Sequence, residues 1–87
     1  MKLNKGFLTH TTKGEHYMIS TGNTKFNGIV KNNDTAAFII EYLKTDTTPK
    51  EIVEKVMKEF SGAERKTVEH DVIDILKKLN SIGAIDK

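Results

Sequence analysis

The hydrophobic pattern of this sequence changes its period at residue 33. Before that point, three short runs are rich in β-branched and aromatic residues, as is typical of strands: Phe7–Thr11, Glu15–Ser20 and Phe26–Lys31. After it, apolar residues recur every three or four positions, which is the spacing of amphipathic helices. Strands that come first and helices that come afterwards predict an α+β domain.

The segments between the three runs read as turns. Lys13-Gly14 separates the first run from the second, and Thr21-Gly22-Asn23 separates the second from the third. Two short connections between three strands predict an antiparallel three-stranded sheet.

Three helices are predicted after the sheet. In the first, Asn33 or Asp34 is the N-cap, and one face carries apolar residues at helical spacing: Ala36, Ile39, Ile40 and Leu43. The second has the clearest start signal in the chain, because Thr48 can cap, Pro49 suits the first helical position and Glu51 can close a capping box.

The third predicted helix covers Glu64–Ile82 and ends at Gly83. Its main apolar stripe includes Val72, and Ile73 lies about 100° round the helix from that residue. The apolar arc is therefore wider than packing on one side requires. The element order β-β-β-α-α-α predicts one winged helix-turn-helix-like domain over residues 1–87, with a three-stranded antiparallel sheet followed by three helices.

Composition narrows the functional classes. There is no cysteine, so no disulfide or thiolate metal site can form. No apolar run approaches the roughly 18–20 residues that span a bilayer, so we expect a cytoplasmic protein that does not enter membranes. Net charge is +2 over the chain but +4 over residues 1–31, which hold five lysines and one glutamate. An acidic partner would be drawn to that N-terminal third.

Catalysis is not expected. The histidines, His10, His16 and His70, fall in different predicted elements, and surface positions explain them best. Asp71 and Asp74 lie one turn apart on the third helix, where a solvated face is a simpler explanation than an acid–base pair. We therefore predict a non-enzyme with no cofactor and no metal site.

A winged-helix nucleic-acid-binding domain is the alternative. A recognition helix needs basic and amide side chains that reach phosphates and base edges. The third predicted helix balances four basic residues against four acidic ones, and Asp71 and Asp74 would both approach phosphates. Its charge disfavours nucleic acid as a partner.

The third predicted strand favours a binding module instead. In a meander this strand would lie at an open edge of the sheet. Its unpaired backbone N–H and C=O groups could then pair with another extended segment. Gly28 would allow close approach of a second backbone, although it could equally mark a bulge. The same open edge makes a homodimer possible.

The chain resembles the PqqD-like family, also called RiPP recognition elements, over nearly its whole length. The likeness is carried by the order and spacing of several segments: Gly14-Glu15, Phe26-Asn27-Gly28-Ile29, Asn33-Asp34-Thr35-Ala36-Ala37-Phe38-Ile39, Thr48-x-x-Glu51-Ile52-Val53, Asp71-Val72-x-x-Ile75-Leu76-x-x-Leu79 and Gly83-Ala84-Ile85.

This resemblance implies a stand-alone peptide chaperone. Such proteins bind the leader of a ribosomally synthesised precursor peptide by strand addition and deliver it to a modifying enzyme, often a radical SAM enzyme. It implies a groove between the third strand and the third helix, with these peptide-binding residues: Gly28, Ile29, Val30, Lys31, Asp71, Val72, Ile75, Lys78 and Leu79. Ile73 marks the opposite flank of the helix, and the sequence leaves open which flank lines the groove. Val72 and Leu79 could equally be core residues, and Lys31 and Lys78 solvated lysines.

Overall fold

The computed structural model describes residues 1–20 and 28–86. These residues form an α+β domain whose elements are, in chain order, β1 (Lys2–Leu3), β2 (Phe7–Thr12), β3 (Glu15–Ser20), β4 (Ile29–Asn32), α1 (Asp34–Tyr42), α2 (Pro49–Glu59), α3 (Arg65–Ser81) and β5 (Ile85–Asp86). The predicted fold class is confirmed: a three-stranded antiparallel sheet is followed by three helices.

The sheet is a meander in the order β2-β3-β4. Its first hairpin turns at Lys13 and Gly14, whose φ angles are 51° and 76°. Two consecutive positive φ angles are typical of a type I′ turn, which matches the right-handed twist of a two-residue hairpin. The third predicted strand is β4, although Phe26, Asn27 and the predicted turn Thr21-Gly22-Asn23 lie outside the described residues.

Side-chain and backbone caps fix the helix starts. The Asn33 side chain accepts a hydrogen bond from the Ala36 N–H over 2.8 Å, so Asn33 rather than Asp34 is the N-cap of α1. Thr48 caps α2 by accepting from the Glu51 N–H over 3.2 Å, and Pro49 occupies the first turn as predicted. At its far end, α3 is followed by Gly83 with a φ of 76°, the left-handed conformation expected after a helix.

The hydrophobic core lies between the inner face of the sheet and the three helices. Met18 from β3 and Val72 from α3 are completely buried. The helices contribute further side chains that are at most 1% exposed: Ile39, Ile40 and Ile52. This core fixes which faces of β4 and α3 remain available to a ligand.

A second, two-stranded sheet was not predicted. β1 pairs antiparallel with β5, so that Lys2 lies opposite Asp86 and Leu3 opposite Ile85. The pairing joins the two ends of the domain and leaves the three-stranded sheet unchanged. The described residues contain no helix long and apolar enough to cross a membrane.

Candidate functional site

β4 is the outermost strand of the three-stranded sheet, so one of its edges faces away from β3. The Ser20 N–H donates to the Gly28 carbonyl oxygen over 3.1 Å, at the start of the antiparallel pairing of β3 with β4. Hydrogen-bonded and non-hydrogen-bonded pairs alternate along such a ladder, and Gly28, Val30 and Asn32 therefore direct their backbone groups to β3. The N–H and C=O groups of Ile29 and Lys31 point to the other edge. No described backbone group pairs with them there.

A groove of ≈ 440 Å³ lies beside this edge, between β4, the first turn of α1 and the C-terminal half of α3. Its floor is aliphatic and its rim is polar. The residues that line it are Val30, Lys31, Asn32, Asn33, Ala36, Ile75, Lys78, Leu79, Ser81 and Ile82. An apolar groove beside an open strand edge can hold an extended peptide, because the edge supplies main-chain hydrogen bonds and the groove receives alternate side chains.

The structure brings most of the predicted site residues together. Five line the groove: Val30, Lys31, Ile75, Lys78 and Leu79. Gly28 and Ile29 precede them along the same edge of the sheet. Leu79 is only 4% exposed, so it contributes to the core as well as to the floor of the groove.

The two remaining predicted residues lie nearer the N-terminus of α3. Asp71 and Val72 line a separate cavity of ≈ 180 Å³ between α3, the end of α2 and the start of α1. Asp71 is exposed one turn before Ile75, so it extends the same helical wall. Val72 is 0% exposed and packs in the core.

Both lysines on the rim already have carboxylate partners. Lys31 Nζ lies 3.2 Å from Glu15 Oε1, and the Tyr17 hydroxyl donates to the other oxygen of Glu15 over 2.5 Å. The Tyr17 hydrogen bond and, after it, the Lys31 ammonium lower the pKa of the Glu15 carboxyl below its ordinary value. Lys78 Nζ lies 3.2 Å from Asp74 Oδ2, one turn earlier on α3. Both lysines and their carboxylate partners are well exposed, so these ion pairs are weak enough for a ligand to rearrange.

The opposite flank of α3 is built differently. Ile73 is 50% exposed there, beside a cavity of ≈ 400 Å³ between α2 and α3. Arg65 joins the two helices through two hydrogen bonds of 2.8 Å to the carboxylate of Glu54. These bonds lower the pKa of the Glu54 carboxyl below its ordinary value, and desolvation opposes them. Beyond their first turns, helix backbones satisfy their own hydrogen bonds, and this flank therefore offers an extended peptide no row of backbone partners like that of a strand edge.

Sequence reasoning missed part of the groove. Ile82 lies seven residues after Ile75, so the same helical period could have identified it. Asn33 and Ala36 belong to the first turn of α1, and their position beside α3 depends on tertiary packing that no local pattern indicates.

His16 connects the sheet to α1. His16 is held by a 3.0 Å contact between Nδ1 and the Thr11 hydroxyl and another between Nε2 and Asp34 Oδ1. These contacts link β2, β3 and α1, which gives the histidine a structural role. No group of three or more potential metal-binding side chains occurs among the described residues.

Comparisons with known proteins agree with this architecture. A family model described as "Coenzyme PQQ synthesis protein D (PqqD)" matches residues 15–85. A search of curated protein sequences finds no match. The solved structure of TbiB1 in complex with the TbiA(beta) leader peptide has a TM-score of 0.81 and 22% identity, covering 99% of this chain and 95% of that chain. Lasso peptide synthetase B1 complexed with the leader peptide gives a TM-score of 0.76 and 20% identity, with coverage of 95% and 93%. At these identities the two structures establish the likeness of fold.

Proposed function

This chain belongs to the PqqD family, and we propose that it binds the leader segment of a ribosomally synthesised precursor peptide as an added strand on β4. The observation that carries the proposal is the position of the open β4 edge beside an apolar groove. The backbone N–H and C=O groups of Ile29 and Lys31 point away from β3, at the open edge of the sheet. Leader main chain would pair with these groups, and every second leader side chain would enter the groove.

The proposed contacts combine both walls of the groove. On the sheet they involve Gly28, just before β4, and Ile29, Val30 and Lys31 of β4 itself. On α3 they involve Ile75, Lys78 and Leu79. A leader that continues along α3 would also reach Asp71. Val72 would support these contacts from the core, because its side chain has no exposed surface.

Two structurally similar proteins support a leader peptide as the occupant. TbiB1 and lasso peptide synthetase B1 were each solved with a leader peptide. Both match this chain over 95% or more of its length, so the likeness of fold extends over nearly the whole domain.

The domain would act by recruitment. A bound leader raises the effective concentration of the rest of the precursor at any enzyme that the domain also contacts. Ordering a flexible leader costs a few kcal/mol, and we expect a dissociation constant of about 1 μM, or about −8 kcal/mol. The second proposed partner is therefore a modifying enzyme, with a radical SAM enzyme as the expectation from the family resemblance. The domain itself would perform no chemistry.

Charge on α3 argues against the nucleic-acid alternative. Asp71 and Asp74 are exposed on the helix that would have to enter a groove of the duplex. Lys78 Nζ lies 3.2 Å from Asp74, whose carboxylate would offset the lysine's charge near a phosphate. Nucleic-acid binding needs a concentrated basic face, which these acidic residues interrupt.

An NMR titration tests the proposal directly. The ¹⁵N-labelled domain would be titrated with synthetic peptides that cover the N-terminal part of a precursor peptide encoded beside this chain. We expect amide shifts concentrated in β4 and in the C-terminal half of α3, with new protection of the Ile29 and Lys31 N–H groups from exchange. Shifts restricted to the α2–α3 flank, or none at several times the expected dissociation constant, would contradict strand addition.

A further inference from the structure

The outer face of the sheet, opposite the helices, carries an apolar row. Leu8 of β2 lies opposite Ile19 of β3, and Ile19 lies opposite Ile29 of β4. Leu8 is 60% exposed and Ile29 is 65% exposed, and these are two of the three large hydrophobic side chains that stay mostly exposed among the described residues. We call these three residues, Leu8, Ile19 and Ile29, the outer row. It crosses the whole sheet and ends at the open edge of β4.

Ile29 belongs both to this row and to the proposed binding edge. Its backbone N–H and C=O point out of the sheet edge, and its side chain stands on the outer face. A strand added to β4 would place every second side chain on that same outer face, whichever direction the strand runs. One residue of the added strand must therefore lie beside Ile29 and continue the row from three members to four.

From this juxtaposition we infer that the outer row is a second specificity subsite for the leader, which takes an apolar side chain. The inference rests on the proposed strand addition. One leader residue enters the groove beside Val30, and the residue next to it in sequence covers Ile29 on the outer face. The peptide that fits this domain carries two adjacent apolar residues, one for each face of the extended sheet.

The next position on the outer face is polar and sets the limit of the subsite. Lys31 shares Glu15 with the Tyr17 hydroxyl, through contacts of 3.2 Å and 2.5 Å. A leader residue beside Lys31 would meet this network, which suits a polar side chain. Three consecutive leader residues would therefore be apolar beside Ile29, apolar in the groove beside Val30 and polar beside Lys31, and the direction of the added strand sets which of the outer two comes first.

Cross-strand contact gives the outer subsite a measurable share of the affinity. An aliphatic side chain that covers about half of the exposed part of Ile29 removes a few tens of Å² of apolar surface from water on each side. Because of this buried area, we expect loss of the contact to weaken binding about fivefold, on a scale where a tenfold change in affinity corresponds to about 1.4 kcal/mol.

A random decapeptide display library, selected on the immobilised whole domain, tests the inference without a known leader. Ile29→Thr removes most of the apolar contact and keeps a β-branched residue in the strand. Ile73→Thr is the matched control, because Ile73 is 50% exposed but lies on the opposite flank of α3. Peptides selected on the unmodified domain would be synthesised and titrated into all three proteins, with β4 amide shifts as the check on where they bind.

We expect the unmodified domain and Ile73→Thr to enrich peptides with two adjacent apolar residues. Ile29→Thr should bind those peptides about fivefold more weakly and enrich peptides with only one of the two. Peptides that shift β4 amides yet bind Ile29→Thr at full strength would overturn the outer subsite and leave strand addition standing. Selected peptides that shift no β4 amide would remove strand addition as well.

Self-association is the competing use of the outer row. Sedimentation of the unmodified domain and of Ile29→Thr over a range of concentrations separates the two. A concentration-dependent dimer that Ile29→Thr abolishes, together with unchanged peptide affinity, would assign the row to a second copy of this chain and overturn the inference. Monomers in both cases, with weaker peptide binding by Ile29→Thr, would support it.

Discussion

The two flanks of α3 resemble each other in composition and differ in what borders them. Each flank has an apolar residue beside a cavity of similar size: Ile75 beside ≈ 440 Å³ and Ile73 beside ≈ 400 Å³. On the first flank the neighbour is β4, a strand with an open edge. On the second it is α2, which is tied to α3 by the Arg65–Glu54 hydrogen bonds.

This difference decides which flank can hold an extended peptide. A strand edge offers N–H and C=O groups at the spacing of another strand, whereas a helix between its terminal turns has already used its own. Exposed apolar surface is therefore a weaker indication of a peptide site than apolar surface next to an unpaired strand. Ile73 is the more exposed of the two isoleucines, yet its flank lacks the edge.

The largest expected difference between the flanks comes from a buried charge. Ile75→Asp places a carboxylate against the apolar floor of the groove, where a bound leader would desolvate it, and should weaken leader binding by about 2 kcal/mol or more, or about 30-fold. Ile73→Asp makes the same change on the other flank and should leave affinity within about twofold. Isothermal titration calorimetry with a peptide that shifts β4 amides measures both. Equal losses, in variants whose amide spectra show an intact fold, would erase the distinction between the flanks.

A backbone substitution tests the edge itself. The Lys31 N–H points away from β3, so Lys31→Pro removes a donor that only an added strand would use. We expect a loss of about 1 kcal/mol, or roughly fivefold in affinity, on the scale of one hydrogen bond. Lys31→Ala is the control, because it removes the same side chain and keeps the N–H. Fluorescence anisotropy with a labelled peptide would compare them, and indistinguishable affinities would argue that this N–H takes no part in binding.

Sequence patterns predicted the main strands and helices because the turn and cap residues that delimit these elements lie close together in the sequence. The Lys13-Gly14 turn and the Thr48-Pro49 helix start each depend on residues within a few positions of one another. The pairing of β1 with β5 joins Lys2 to Asp86, and two-residue strands at opposite ends of the chain leave no periodic signal. The same applies to His16, whose contact with Asp34 depends on how the sheet packs against α1.

Helical periodicity predicted which residues of α3 form the groove wall, but it could not predict where along α3 the groove ends. The helical stripe correctly groups Ile75 with Leu79, and it also contains Val72. β4 has four residues and spans about 13 Å, whereas the 17 residues of α3 extend about 25 Å. The strand can therefore border only part of the helix, and tertiary packing puts that part in the C-terminal half. Asp71 and Val72 consequently lie outside the groove.

Neighbouring lysines offer a finer comparison within the groove flank. Lys78 lines the groove and Lys77, which points about 100° away, does not. For a leader with an acidic residue at the rim, Lys78→Gln should weaken binding about two- to threefold at low salt, and the loss should fade at high salt because exposed charges are screened. Lys77→Gln carries the same change in net charge. If both variants lose affinity equally in titrations at two salt concentrations, the effect is a long-range field and Lys78 has no specific role.

The smallest expected effect belongs to the α2–α3 flank. Glu54→Gln keeps an oxygen for Arg65 but removes the charge, so it should lower the free energy of unfolding slightly and leave peptide affinity unchanged. The pKa of Glu54 is lowered from its ordinary value of 4.5 in the folded protein. The stabilisation that the Glu54 charge gives the fold is therefore complete above pH 4.5, and it is lost as the pH falls through the lowered folded pKa. Urea unfolding should separate the two proteins at about pH 7 and bring them progressively together as the pH falls below 4.5. A difference in stability that persists in acid would mean that the substitution disturbs packing rather than charge, and weaker peptide binding would mean that this flank contributes to the site after all.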